Sequence, residues 1–495
     1  MKMAFNTSLL AIAMLSLISC GGESSDPITG EQPDKPSTPA EPVAPAGEVR
    51  VLTTTSSRSR DLELSTVGFD RSIGMATSTT IFLKPQETYQ TMDGFGVAIT
   101  GSTCYNLMQM TPENRQLFLK ETFSDKDGYG FSYCRVSIGC SDFSLSEYTC
   151  CDEKGIEHFG LTAEETDYVI PILKEILNLK PDLKIMGTPW TPPLWMKTNN
   201  KWTGGQLKKE CYQDYAEYFV KWIKAFEAQG IKIFSVTPQN EPLNSGNSAS
   251  CYMPWSQERD FVKEALGPAF EKAGIRTKIY AFDHNYNYDN MSDQSSYPIK
   301  IYKDEEASQY LAGAAYHNYG GNKDELTLVH NAAPGKDLVF SETSIGTWND
   351  GQNLSKRLMD DMQEVALGTV NRWCKGVIVW NLMLDAKRGP NRPGGCQTCY
   401  GAVDINTDYA TITRNSHYYI IAHLSSVVKP DAVRIGTSGF EAAGVTYSAF
   451  KNTDGTYAIV MSNNTAQSIT LTVNDGTKQF TYNVPSLSAV SFSWK

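Results

Sequence analysis

The chain has 495 residues, beyond the roughly 250–300 at which a single hydrophobic core stops growing, so two folded units, or one large unit with a satellite, are expected. Hydrophobic residues at 41%, aromatic at 11% and charged at 20% exclude a disordered, fibrous or multi-span membrane protein. A net charge of -11, from 44 basic and 55 acidic residues, excludes a nucleic-acid partner, whose phosphates require a basic face.

Met1 to Cys20 places Lys2 before an apolar run, Leu9 to Ile18, and then Ser19-Cys20-Gly21-Gly22. The run is short for a bilayer span and has the order of an export signal. Leu17-Ile18-Ser19-Cys20 resembles a bacterial lipobox, which makes Cys20 a lipidation site and the mature N-terminus. An ordinary signal peptide with an incidental cysteine is the bland reading. Residues 21–47 mix Pro, Ser, Thr, Glu and Ala and bury too little apolar area to offset their ordering entropy, so they read as a tether. Residues 48–85 are strand-like and are expected to join a β-sandwich whose other part lies at the far end of the chain.

From about Thr91 to Leu384, short β-rich runs alternate with helical stretches, the pattern of βα units around a parallel sheet. The expected strands are Gly94–Ile99, Tyr133–Ile138, Lys184–Gly187, Ile233–Thr237, Lys278–Phe282, Gly313–Tyr316, Asp337–Phe340 and Val377–Asn381. A helix over Cys211–Gln229 repeats Tyr212, Tyr215, Phe219, Trp222, Ile223 and Phe226 at steps of three and four, which assigns those aromatics to packing. Eight strands with helices between them define an α/β fold, a (β/α)8 TIM barrel, over residues 86–410. A doubly wound sheet is the alternative, but Gly94-Phe95-Gly96 lacks the third glycine of a dinucleotide loop. Residues 411–495 show short strands between turn signals and read as an antiparallel β-sandwich.

Ten cysteines remain after Cys20, and export would permit disulfides. Cys396-Gln397-Thr398-Cys399 lacks the two further ligands of a zinc site, so a loop disulfide or two free thiols is expected there. Vicinal Cys150-Cys151 reads as a loop coincidence. None of the six histidines has metal-ligand spacing, and neither a metal nor an organic cofactor is expected.

In a barrel the chemistry sits where strands end, so polar residues there carry more weight than elsewhere. Ile233-Phe234-Ser235-Val236-Thr237 runs into Pro238-Gln239-Asn240-Glu241-Pro242, and Leu338-Val339-Phe340 runs into Ser341-Glu342-Thr343. On this count Glu241 and Glu342 follow the fourth and seventh strands and face one mouth from opposite sides. Taken singly, each is more often a solvated loop residue. As a pair about 5 Å apart they can split a glycosidic bond by double displacement.

From about Phe82 onward the chain resembles glycoside hydrolase family 30, which contains glucosylceramidases and endo-β-1,6-glucanases. The resemblance rests on several ordered motifs: Met92-Asp93-Gly94-Phe95-Gly96; Arg135-Val136-Ser137-Ile138-Gly139 with Ser141-Asp142-Phe143-Ser144; Thr188-Pro189-Trp190 through Lys197; Gln239-Asn240-Glu241-Pro242; His317-Asn318-Tyr319; Phe340-Ser341-Glu342; and Val379-Trp380-Asn381. It implies a retaining hydrolase with Glu342 as nucleophile and Glu241 as acid/base, on a barrel fused to a sandwich built from both chain ends. It further implies that Asn240 bonds the sugar 2-hydroxyl and that Asp142, Trp190, Tyr319 and Trp380 surround the sugar beside the bond being cut. Arg135, always charged, is expected to support an ionised nucleophile. His317 reads equally as a sugar or carboxylate partner and as a satisfied core histidine. Asp283-His284-Asn285 is a weaker candidate at the same rim.

The leader suggests an enzyme lipid-anchored to a bacterial envelope, at the outer membrane and its cell surface, beside glycan-uptake machinery, where a polymeric glycan is the expected partner. The Gln239-to-Leu243 and His317-to-Gly321 stretches resemble the β-1,6-glucanase branch, so the expected substrate is β-1,6-glucan. A glucosylceramidase, or an exo-acting β-glucosidase or β-xylosidase, is the alternative enzyme. A surface glycan-binding protein is the non-enzymatic one, disfavoured by the presence of both glutamates.

Overall fold

The computed structural model describes residues 47–286 and 291–495. The expected leader and tether, with Cys20, therefore lie outside the described residues. Among the described residues no helix is long and apolar enough to cross a membrane.

Eight parallel strands close into a barrel in chain order: Gly94–Ala98, Tyr133–Ser137, Lys184–Thr188, Ser235–Val236, Lys278–Asn285, Leu311–His317, Asp337–Glu342 and Cys374–Val379. Each expected strand is present, with ends that move by a few residues. The fourth shrinks to Ser235–Val236, while the fifth and seventh extend outward to carry Asp283 and Glu342. Tyr133, Met186, Tyr280, Ala315, Val339 and Ile378 fill the barrel interior. Gly96 is required where two strands crowd, because a Cβ there would stand 1.9 Å from the Tyr133 carbonyl oxygen. The helix Tyr212–Ala228 buries Tyr215, Phe219, Trp222 and Phe226 as its periodicity demands. A Cβ at Gly187 would meet the Trp222 ring at 2.7 Å, so this helix sits hard against the third strand.

The second unit is a nine-stranded sheet that interleaves both chain ends. Its order is Glu63–Gly68, Glu48–Thr55, Ser488–Trp494, Tyr457–Asn463, Val445–Lys451, Val433–Gly439, Thr80–Thr91, Ile469–Asn474 and Gln479–Val484. All its pairings are antiparallel except that of Ile469–Asn474 with Thr80–Thr91. Val51, Ile81, Ile459, Val473, Phe480, Phe492 and Trp494 share its apolar core.

The boundary expected at 411 needs correction. Ser416–Ser425 is a helix with all ten residues buried, and the sandwich strands resume only at Val433. An element buried on every side has no amphipathic stripe to announce it. Cys396 and Cys399 form a disulfide, while Cys150 and Cys151 are free and buried.

Candidate active site

The mouth of the barrel is organised around Arg135 and Asp283, both wholly buried. Arg135, on the second strand, donates from Nη1 to Glu342 Oε2 at 2.5 Å and from Nη2 to Asn240 Oδ1 at 2.8 Å and Asp283 Oδ2 at 2.7 Å. A guanidinium fork suits this task because it holds several acceptors in one rigid plane. Asp283 takes further hydrogen bonds from Thr237 at 2.7 Å and Ser341 at 2.5 Å, and lies 3.0 Å from His317 Nε2. One aspartate on the fifth strand thus ties together the second, sixth and seventh strands and the end of the fourth. Its φ of 58° is in the left-handed region, as is that of Glu241 at 45°. Backbone strain of this kind persists only where the surroundings enforce it.

Glu241 and Glu342 are each only 6% exposed. His317 Nδ1 stands 3.3 Å from Glu241 Oε1 and 3.8 Å from Glu342 Oε1, so these two oxygens are at most 7.1 Å apart. That bound accommodates the ~5–5.5 Å separation of a retaining pair. Asn244 and Asn247 each donate to Glu241 Oε2 at 2.8 Å. Tyr319 donates its hydroxyl proton to Glu342 Oε1 at 2.9 Å, and its oxygen lies 3.0 Å from Ser344 Oγ.

Proton placement follows from these contacts. Burial pushes Glu241 up, but the His317 hydrogen bond, the charges of His284 and His317 and the Asn244 donor outweigh it and bring the carboxyl down to about 2. Burial likewise lowers His317, and here the charge of Glu342 with the Asp283 and Glu241 hydrogen bonds prevails, raising it to about 9. These contacts favour the proton on His317 over Glu241.

The remaining candidates are also at this mouth. Burial first, and then the charges of Glu342 and Glu241, push Asp142 up to about 7, and its buried Oδ1 has no hydrogen-bond partner. Such an acceptor is suited to a sugar hydroxyl. Trp190 and Trp380 stack on each other with centroids 5.0 Å apart, and Arg135 lies 5.0 and 5.5 Å from the two ring centres. Both rings are almost fully buried and cover much of each other's area. Tyr319 is exposed at the rim. Arg135 takes the Asn240 carbonyl oxygen, which leaves the Asn240 amide group as the donor.

Sequence reasoning missed Asn244, Asn247, Thr237 and Ser341 and ranked Asp283 too low. The polar run Asn244-Ser245-Gly246-Asn247, which begins three residues after Glu241, was the available signal for the first two. Ligand atoms of Glu241, His284 and His317 lie within 4.8 Å of one another. Both nitrogens of His317 are nevertheless engaged by carboxylates, which suits a proton carrier better than a metal ligand.

A parallel barrel with a pair of buried glutamates at its carboxyl-terminal mouth, Glu342 ending the seventh strand and Glu241 in the loop after the fourth, defines a glycoside hydrolase of the TIM-barrel kind. The chain belongs to glycosyl hydrolase family 30. The family's TIM-barrel domain matches residues 92–428 and its beta sandwich domain matches residues 431–492. The structure of an endo-β1,6-glucanase superposes with a TM-score of 0.89 at 66% identity, over 91% of this chain and 99% of that one. The endo-1,6-β-D-glucanase of Neurospora crassa is 31% identical over 79% of this chain and 82% of its own length. The lysosomal acid glucosylceramidase of Mus musculus is 28% identical over 88% of this chain and 87% of its own.

Proposed function

We propose that this hydrolase is a retaining endo-β-1,6-glucanase with Glu342 as nucleophile and Glu241 as acid/base. The observation that carries the substrate is the 66% identity to an endo-β1,6-glucanase across nearly the whole of both chains. The site geometry supports the roles. Glu342 is oriented by hydrogen bonds on both oxygens, Oε2 from Arg135 and Oε1 from Tyr319. Glu241, beside His317, has a proton within hydrogen-bond reach.

In the first step a Glu342 oxygen bonds to the anomeric carbon while the glycosidic C–O bond breaks, and the leaving oxygen takes the proton of Glu241. His317 Nδ1 supplies that proton to Glu241 Oε1 as substrate fills the site, where a neutral pair is favoured over separated charges. In the second step Glu241 removes a proton from water, the water oxygen bonds to the anomeric carbon, Glu342 departs as carboxylate, and the proton on Glu241 Oε1 passes back to His317 Nδ1.

Incubation with β-1,6-glucan, β-1,3-glucan, xylan and glucosylceramide, followed by product sizing, tests the substrate. Short gluco-oligosaccharides from the first alone are expected; cleavage of glucosylceramide would transfer the assignment to the ceramidase branch. Glu342→Gln is expected to abolish turnover while glycan binding persists, and unchanged activity would sink the assignment. We further propose that Cys20 carries a lipid that anchors the enzyme at the bacterial envelope. Cys20→Ala should move the protein from the membrane fraction to the soluble one.

A further inference from the structure

Among the nine tryptophans, all within the described residues, only Trp348 is exposed, at 53%. It lies six positions after Glu342, on the turn Thr347–Asn349 that follows the short strand Ile345–Gly346. A lone apolar residue on a surface needs no explanation by itself. This one is held in a built frame.

The strand Ile345–Gly346 pairs with Cys399–Tyr400, and Cys399 is tied to Cys396 by the disulfide. Thr347 N–H donates to the Thr398 carbonyl at 2.9 Å, and Gly346 N–H donates to Asn349 Oδ1 at 3.0 Å. Gly351 N–H closes the turn onto the Gly346 carbonyl at 2.9 Å. The indole itself is laid on Gly346: a Cβ there would fall 1.9 Å from Cζ3 and 2.4 Å from each of its ring neighbours Cε3 and Cη2. Those three distances are those of a point above the ring, not beyond its edge. One face of the indole is thus backed by glycine and the ring is open to solvent elsewhere.

The position relative to the chemistry is equally constrained. Ser344 touches Tyr319, which holds Glu342. Trp348 is four residues further on, a span of at most about 14 Å of extended chain. A rigid, solvent-facing aromatic at that distance matches the apolar C–H face of a pyranose in a glycan that continues past the pocket.

We propose that Trp348 is a distal stacking platform for a glucosyl unit of the β-1,6-glucan chain, outside the pocket that holds the sugar being cleaved. The proposal rests on the glucanase reading above and adds a length dependence to it. Stacking at a remote unit lowers the barrier only for substrates long enough to reach it.

The test compares the full-chain wild type, Trp348→Ala and Trp348→Phe on β-1,6-gluco-oligosaccharides from the disaccharide to about the octasaccharide, and on the polymer. Trp348→Ala should lose about tenfold in kcat/KM on the long substrates and less than twofold on the shortest one that is cleaved. Trp348→Phe should recover most of the loss. Gly346→Ala, which displaces the indole, should reproduce the length profile of Trp348→Ala if it folds. Equal loss at every length, or no loss on long chains, would overturn the platform. A wild type inactive on every β-1,6 substrate would instead overturn the glucanase reading, so the two failures are distinct.

Discussion

Asp283→Asn is the substitution on which the electrostatic account of the site depends most. It keeps the shape of the side chain and replaces one acceptor oxygen with a donor. Whichever oxygen is lost, two donors are stranded: Arg135 with Thr237, or His317 with Ser341. Removing one partner of a buried ion pair costs about 3–5 kcal/mol. Arg135 keeps Glu342 and Asn240 as acceptors, which places the expected loss at the lower end, about 3 kcal/mol, or roughly a hundredfold in the folding constant. His317 loses one of the contacts that raise it to about 9, so its pKa should fall. Urea unfolding gives the first quantity, and the pH profile of kcat/KM on β-1,6-glucan gives the second. We expect a lower unfolding midpoint and an alkaline limb that begins at lower pH, with kcat/KM at neutral pH down by roughly 10²-fold, as displacements near 1 Å in such sites cost. A variant with the wild-type midpoint and an unmoved alkaline limb would refute the role given to Asp283.

Four further outcomes follow from the same geometry. His317, raised from 6.5 to about 9, contributes fully below pH 6.5 and is lost as pH rises through 9, so kcat/KM should decline over that window, and His317→Gln should remove the limb together with most activity. Glu241→Gln should spare the first step for aryl glycosides with good leaving groups while slowing polymer cleavage by about 10²–10⁴-fold, and equal slowing of both would reject it as the acid. Asp142→Ala removes the unpartnered buried acceptor and should raise KM on the glucan by about tenfold, the worth of one hydrogen bond, with a smaller change in kcat. Gly96→Ala drives a methyl group into the Tyr133 carbonyl and should cost about 3 kcal/mol in thermal unfolding, while a wild-type melting curve would show that the two strands part without penalty.

The barrel was legible because its strands are short β-branched or aromatic runs separated by helices with a clear apolar stripe, as in Tyr212–Ala228. The two glutamates were legible because each directly follows such a run. Val433–Gly439 was not, since its sequence Val-Arg-Ile-Gly-Thr-Ser-Gly has little alternation and two glycines. Asp283 could be placed at a strand end but not recognised as a hub, because its donors Arg135, Thr237, His317 and Ser341 come from four separate parts of the chain. The stacking of Trp190 on Trp380 was hidden for the same reason: a sequence reveals flat rings but not which faces are already covered. The proton on His317 was equally invisible, since it depends on three carboxylates converging on one imidazole.

The interleaved sheet also orders the birth of the molecule in time. Arg50 pairs with Ser493 and Thr55 with Ser488, so the strand Glu48–Thr55 waits for a partner that is made about 430 residues later. At about 5–20 residues per second that wait is on the order of 20–90 s. Glu48–Thr55 pairs with Glu63–Gly68 at once, but a two-stranded ribbon is only marginally stable alone. The barrel, whose strands follow one another without interruption, can close while that ribbon still waits. The sheet therefore closes only when Ser488–Trp494 has been made: a polypeptide cut short within that strand leaves the edges of Glu48–Thr55 and Tyr457–Asn463 unpaired.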